Sequence, residues 1–193
     1  FYDAAMLISH AWSGLPTVTD VGFATMRAKA KQWDVPLFVG EFGAHADTIG
    51  GAAYMDLQYR RLDETFASAA QWNYTPGWTT KDKDGWNHED LSVVDNKGML
   101  RANYRVRAYP RRIAGEPKLF AESADSITLT WQHQPDAGDT ILFVPVHDLW
   151  PGENASIETK GAELTCQLDD KSRHVRCSSP NKVEMTVTIR KKG

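Results

Sequence analysis

Residues 36–43, Pro36-Leu37-Phe38-Val39-Gly40-Glu41-Phe42-Gly43, decide the fold. They form a continuous apolar run broken by one carboxylate, the pattern of a parallel strand covered on both faces. Upstream, Asp20 reads as a helix N-cap. After it Phe23, Met26, Ala30 and Trp33 recur at helical spacing until Pro36 stops the helix. Downstream, Met55, Tyr59, Leu62, Phe66 and Ala69 mark a second amphipathic helix, and residues 71–75 read as the next strand. Two strands joined by a helix in this order make a βαβ unit, and therefore a parallel sheet.

Further along, residues 76–97 are rich in Gly, Asp, Lys and Trp and form a long loop of the kind that carries function. A third helix is expected over 99–106, ending before Tyr109-Pro110. Beyond Gly115 the apolar period becomes two, in Ile127-Leu129-Trp131, Ile141-Phe143-Pro145, Leu164-Cys166-Leu168 and Val183-Met185-Val187-Ile189. Short alternating strands separated by Gly, Pro and Asp turns indicate a small antiparallel β-sandwich. The boundary is placed in the linker-like run 113–117, giving one α/β domain over 1–114 and an all-β domain over 115–193.

Composition narrows the function classes. A net charge of −3 without a long basic run argues against nucleic acid as a partner. No apolar stretch reaches the roughly 18–20 residues that cross a bilayer. The chain begins with Phe1 inside structured sequence rather than with Met, so its true N-terminus is expected upstream. Cys166 and Cys177 flank a polar turn, and pairing about Lys171-Ser172 sets them directly opposite. That suits a cross-strand disulfide and an extracytoplasmic compartment; two reduced buried thiols are the alternative. His10, His45, His88, His133, His147 and His174 show no metal-ligand spacing, and no phosphate-cradling glycine loop is present, so neither metal nor cofactor is expected. Asn73-Tyr74-Thr75 and Asn154-Ala155-Ser156 are glycosylation sequons, the second better placed as an acceptor.

Glu41 is the candidate catalytic residue. An unpaired carboxylate in a sheet layer costs several kcal/mol, so it is either partnered, for instance by a surface Arg, or functional. At the C-terminal end of a barrel strand it would point into an active-site mouth. Retaining glycosidases use such a carboxylate as nucleophile, with a second, protonated one about 5–5.5 Å away.

Pro36–Gly43 resembles the seventh, nucleophile-bearing strand of glycoside hydrolase family 5. Three later segments are similar to its endoglycoceramidase and glycosylceramidase branch: Trp72-Asn73-Tyr74-Thr75, residues 85–92 (GWNHEDLS) and residues 108–115 (AYPRRIAG). The resemblance covers most of residues 1–115. It implies the C-terminal portion of a (β/α)8 TIM barrel, from the end of strand 6 to helix 8, followed by the sandwich. It makes Glu41 the nucleophile and Tyr2 the aromatic hydroxyl that hydrogen-bonds it, where a frayed terminal aromatic is the competing reading. Trp72 becomes the platform for the reacting sugar, rather than a core indole.

Trp78, Trp86, Asn87 and Glu89 lie in the long loop and would line the cleft above Glu41, unless they form a private core of that loop. The implied substrate is a β-glycosidic glycolipid such as a glycosphingolipid, with possible contact to a membrane surface through that substrate. A steryl glucoside or β-glucan would use the same nucleophile. The family's acid/base Glu, in an Asn-Glu-Pro segment on the fourth strand, has no counterpart here. The chain is thus expected to be inactive alone and to need an N-terminal part of the same enzyme as partner. The alternative is a non-catalytic module whose sheet, with Trp131, Phe143 and Trp150, binds glycan or lipid surface or braces the barrel.

Overall fold

The structure is a computed structural model that describes residues 1–79, 81 and 89–192. Two compact units divide between Arg105 and Val106.

The first unit carries helices α1 (Ala4–Ser9), α2 (Thr17–Trp33) and α3 (Gly51–Thr65) and strands β1 (Phe38–Phe42) and β2 (Ser68–Gln71). Helix α2 begins at Thr17, behind Pro16, rather than at Asp20. Asp20 lies instead in the first turn, where the helix dipole favours a negative charge, and accepts from Arg61 Nε of α3 at 2.7 Å. Thr19 and Phe23 are buried on the face that continues through Met26 and Ala30, whereas Trp33, expected on it, is exposed with the Lys29 ammonium over its ring. Asp34, in the left-handed conformation, ends the helix by donating its N–H to the Ala30 and Lys31 carbonyls.

Helix α3 buries Tyr54, Met55, Leu57, Gln58, Tyr59 and Leu62. Strands β1 and β2 pair in parallel, with Val39 opposite Ala69 and Phe42 opposite Gln71, so the βαβ unit is present. The expected cover on both faces is not. Val39 and Phe42 are buried, while Phe38, Gly40 and Glu41 are exposed. The helices pack on one side, where Phe42 meets Tyr59 edge to face in a core that also holds Met6, Phe23, Tyr54 and Tyr104.

Two other expectations are corrected. The second strand runs over 68–71 rather than 71–75, because the chain bends at Trp72 once its N–H has reached the Phe42 carbonyl at 2.8 Å. No helix forms over 99–106. The Asn103 amide donates to the His45 and Ala46 carbonyls and the Tyr104 hydroxyl to the Ala44 carbonyl, which pins a turn at 102–103 against the exit of β1.

The second unit holds β3 (Tyr109–Arg112), β4 (Gly115–Glu122), β5 (Ser126–His133), β6 (Thr140–Phe143), the short helix α4 (Val146–Leu149), β7 (Asn154–Lys160), β8 (Thr165–Asp169), β9 (His174–Ser178) and β10 (Glu184–Lys192). They form two four-stranded antiparallel sheets, ordered β4-β5-β10-β7 and β3-β6-β9-β8. Strand β3 pairs with β6, and the second compact unit begins at Val106, ahead of the 113–117 run.

Ile127, Leu129, Trp131, Met185, Val187 and Ile189 are fully buried, as the period-two pattern requires. On β6 the parity is the reverse of the expectation. Thr140, Leu142 and Val144 face the core, and Phe143 lies on the other side between Tyr109 and His174. Cys166 and Cys177 occupy directly paired positions of β8 and β9 and form a disulfide. Among the described residues no helix is long and apolar enough to cross a membrane.

Candidate functional site

The N-terminal segment is tied down at Asp3, the residue next to Glu41's partner Tyr2. Asp3, buried, caps α1 by accepting from the Ala5 and Met6 amides at 3.0 and 3.2 Å. Its own N–H donates to the Tyr54 hydroxyl, which also accepts from Gln58 Nε2 at 2.6 Å. Tyr2 is thereby held beside the end of β1, and its hydroxyl donates to Glu41 Oε2 at 3.1 Å. Burial first, and then the hydrogen bond and charge of Glu41, push the Tyr2 phenol well above its ordinary pKa; Tyr104 and Glu89 add to the shift. Tyr2 therefore remains a donor.

Of the two glycines flanking Glu41, only one is sterically required. A Cβ on Gly43 would lie 2.3 Å from the Trp72 carbonyl oxygen, whereas a Cβ on Gly40 would meet open space. The close approach at Gly43 lets the ends of the two strands run side by side, and Trp72 emerges there partly exposed. The Trp72–Asn73 peptide is cis. Asn73 exchanges backbone hydrogen bonds with the return of the long loop, donating to Leu91 O at 3.0 Å and accepting from Val93 at 2.9 Å. This brings Glu89 and Asp90 back to the β1 end.

A cleft of about 590 Å³ opens at this place, lined by Leu7, His10, His45, Asp47, Trp78, Glu89, Asp90 and Arg101 among others. Asp90 is paired with Arg101 at 2.5 Å. The buried His45 stacks on His10 with ring centroids 4.1 Å apart. Burial, reinforced by His10, lowers the His45 pKa. Trp78 Nε1 is buried without a hydrogen-bond partner among the described residues.

Thus Tyr2 and Glu41 are in contact, Trp72 stands at the adjoining strand end, and Trp78 and Glu89 line the cleft. Trp86 and Asn87 lie outside the described residues. The grouping of His10, His45 and Asp47 was not anticipated; only the fold joins His10 to a pair 35 and 37 positions later, and the lone signal was the His-x-Asp at 45–47. In the second unit Trp131 and Trp150 are buried, with Trp150 Nε1 donating to Ala124 O, and Phe143 is partly buried. They form no exposed aromatic platform.

No protein-family model and no curated protein sequence matches the chain. Solved structures do. Endo-glycoceramidase II from Rhodococcus sp., in complex with ganglioside GM3, superposes with a TM-score of 0.74 and 23% identity over 100% of this chain and 41% of its own length. The same enzyme as a lactosyl-enzyme intermediate gives 0.68 and 24% over 92% of this chain and 39% of its own. Sterylglucosidase 1 of Cryptococcus neoformans gives 0.62 and 18% over 82% and 29%. The chain spans about two fifths of the length of the first of these. What it shares with them is a fold: this polypeptide is built like a portion of the glycosidases that resemble endo-glycoceramidase II.

Proposed function

We propose that this chain is part of a retaining glycoside hydrolase in which Glu41 is the nucleophile. The observation that carries the reading is the Tyr2 hydroxyl on Glu41 Oε2, at a strand end shared in fold with glycosidases. In this reading the first unit supplies the seventh and eighth strands of a (β/α)8 barrel, with Tyr2 at the end of the sixth, and the second unit follows it as the β-sandwich. A preceding part of the same enzyme completes the barrel and brings the acid.

A Glu41 carboxylate oxygen attacks the anomeric carbon as the bond to the leaving oxygen breaks, and the acid on the preceding part gives that oxygen its proton. A water then cleaves the glycosyl–Glu41 ester and restores the carboxylate. Tyr2 holds the carboxylate in line by its hydrogen bond. Trp72 offers an indole face to the apolar C–H face of the sugar, and Trp78, Trp86, Asn87 and Glu89 contact neighbouring rings and hydroxyls.

The substrate class is a glycolipid with a β-linked sugar, met at a membrane surface. The structural neighbours that carry ganglioside GM3 and act on steryl glucosides by name support it. The disulfide supports an extracytoplasmic setting. The burial of Trp131 and Trp150 speaks against glycan binding by the second unit through these rings.

The test is Glu41→Gln in the complete polypeptide. Turnover of a β-glycosyl lipid should fall by several orders of magnitude with binding retained. Turnover near that of the parent would end the proposal.

A further inference from the structure

His10 follows α1, and His45 and Asp47 follow β1, yet their side chains converge at the wall of the cleft. One ligand atom from each lies within 4.8 Å of both others, and His10 Nδ1 and Asp47 Oδ1 are 2.7 Å apart. Bonds of about 2.0–2.1 Å in a tetrahedral site set ligand atoms about 3.3 Å apart. The 2.7 Å pair is closer than that, and the 4.8 Å bound on the other two pairs allows it. His45 is buried and held by stacking, whereas His10 and Asp47 are at the surface, where their side chains can shift to meet that separation.

Two imidazoles and one carboxylate are a borderline donor set, suited to zinc and poorly suited to magnesium or calcium, which prefer oxygen alone. The surroundings fit a cation. Glu89 Oε1 lies 3.9 Å from His45 Nε2, and the nearest cationic side chain lining the cleft, Arg101, is engaged by Asp90. Tyr2 and Glu41 do not line this cleft, whereas Trp78 and Glu89, assigned above to substrate contact, do.

We infer that His10, His45 and Asp47 form a binding site for one divalent zinc-class ion, with Glu89 or water in the fourth position. The ion would tie the segment after α1 to the exit of β1. This goes beyond the proposed glycosidase activity and does not depend on it.

The experiment is calorimetric titration of the metal-stripped complete polypeptide with ZnCl2, and with MgCl2 as the contrasting ion. The inference predicts saturable zinc binding and none for magnesium. His10→Gln and Asp47→Asn, both surface changes, should each remove one equivalent or weaken it by roughly 100-fold, the upper end of what loss of even a supporting group costs. His147→Gln, at an exposed histidine of the other unit, should change nothing. Absence of saturable zinc binding, or a zinc equivalent that survives both His10→Gln and Asp47→Asn, would overturn it, whatever happens to hydrolysis.

Discussion

The hydroxyl of Tyr2 and the carboxylate of Glu41, 39 positions apart, meet at 3.1 Å because Asp3 and Tyr54 lock the N-terminal segment onto α3. A positioning bond of this kind acts on the aim of the nucleophile more than on affinity. Tyr2→Phe in the complete polypeptide should therefore lower kcat by roughly 100-fold with little change in KM. Burial and Glu41 raise the phenol's pKa, so Tyr2 keeps its proton through the working range and does not set the alkaline limb. The pH profile of Tyr2→Phe should keep the parent's shape at lower height. A shifted alkaline limb would assign Tyr2 a different role.

The two glycines beside Glu41 should respond differently to the same change. Gly43→Ala drives a methyl to 2.3 Å from the Trp72 carbonyl oxygen, a backbone atom that cannot rotate away. It should cost about 1–3 kcal/mol in urea unfolding and displace Trp72. Gly40→Ala meets nothing within 4 Å and should be close to neutral. Equal effects would mean that the strand ends do not approach as described.

Tyr104 holds the 99–106 segment to the exit of β1 through its bond to Ala44 O at 2.6 Å. Tyr104→Phe should cost about 1 kcal/mol at neutral pH. Burial raises the Tyr104 phenol to about 12, above the value of about 10 in an unfolded chain. A raised pKa contributes stability that is complete below pH about 10 and is lost as pH climbs through about 12. The parent's advantage over Tyr104→Phe should accordingly shrink across that window in alkaline unfolding. An advantage that stays constant to pH about 12 would contradict the burial of this hydroxyl.

The parts legible in the sequence were those set by local periodicity. The α2–β1–α3 succession and the buried faces of β5 and β10 follow from apolar spacing, and the disulfide from symmetry about Lys171-Ser172. What escaped depended on long-range side-chain bonds. The stretch 99–106 was expected to be helical but is held as a turn and irregular chain by Asn103 and Tyr104 bonding to residues 44–46. On β6, Phe143 and Leu142 are both apolar, and only the pairing with Tyr109 and Val175 decides which faces inward. Glu41 stands out in the sequence because a charge in an apolar strand is anomalous. The His10–His45–Asp47 cluster was not, since each residue alone is ordinary and tertiary contact joins them.

The most direct test of the central claim is covalent trapping. The complete polypeptide is incubated with a 2-deoxy-2-fluoro β-glycoside carrying a good leaving group, which forms the glycosyl-enzyme but releases it slowly, and the peptides are read by mass spectrometry. The account predicts one fluoroglycosyl unit, attached to the peptide containing Glu41. A label on another carboxylate, or hydrolysis of the natural linkage with inversion, would contradict it.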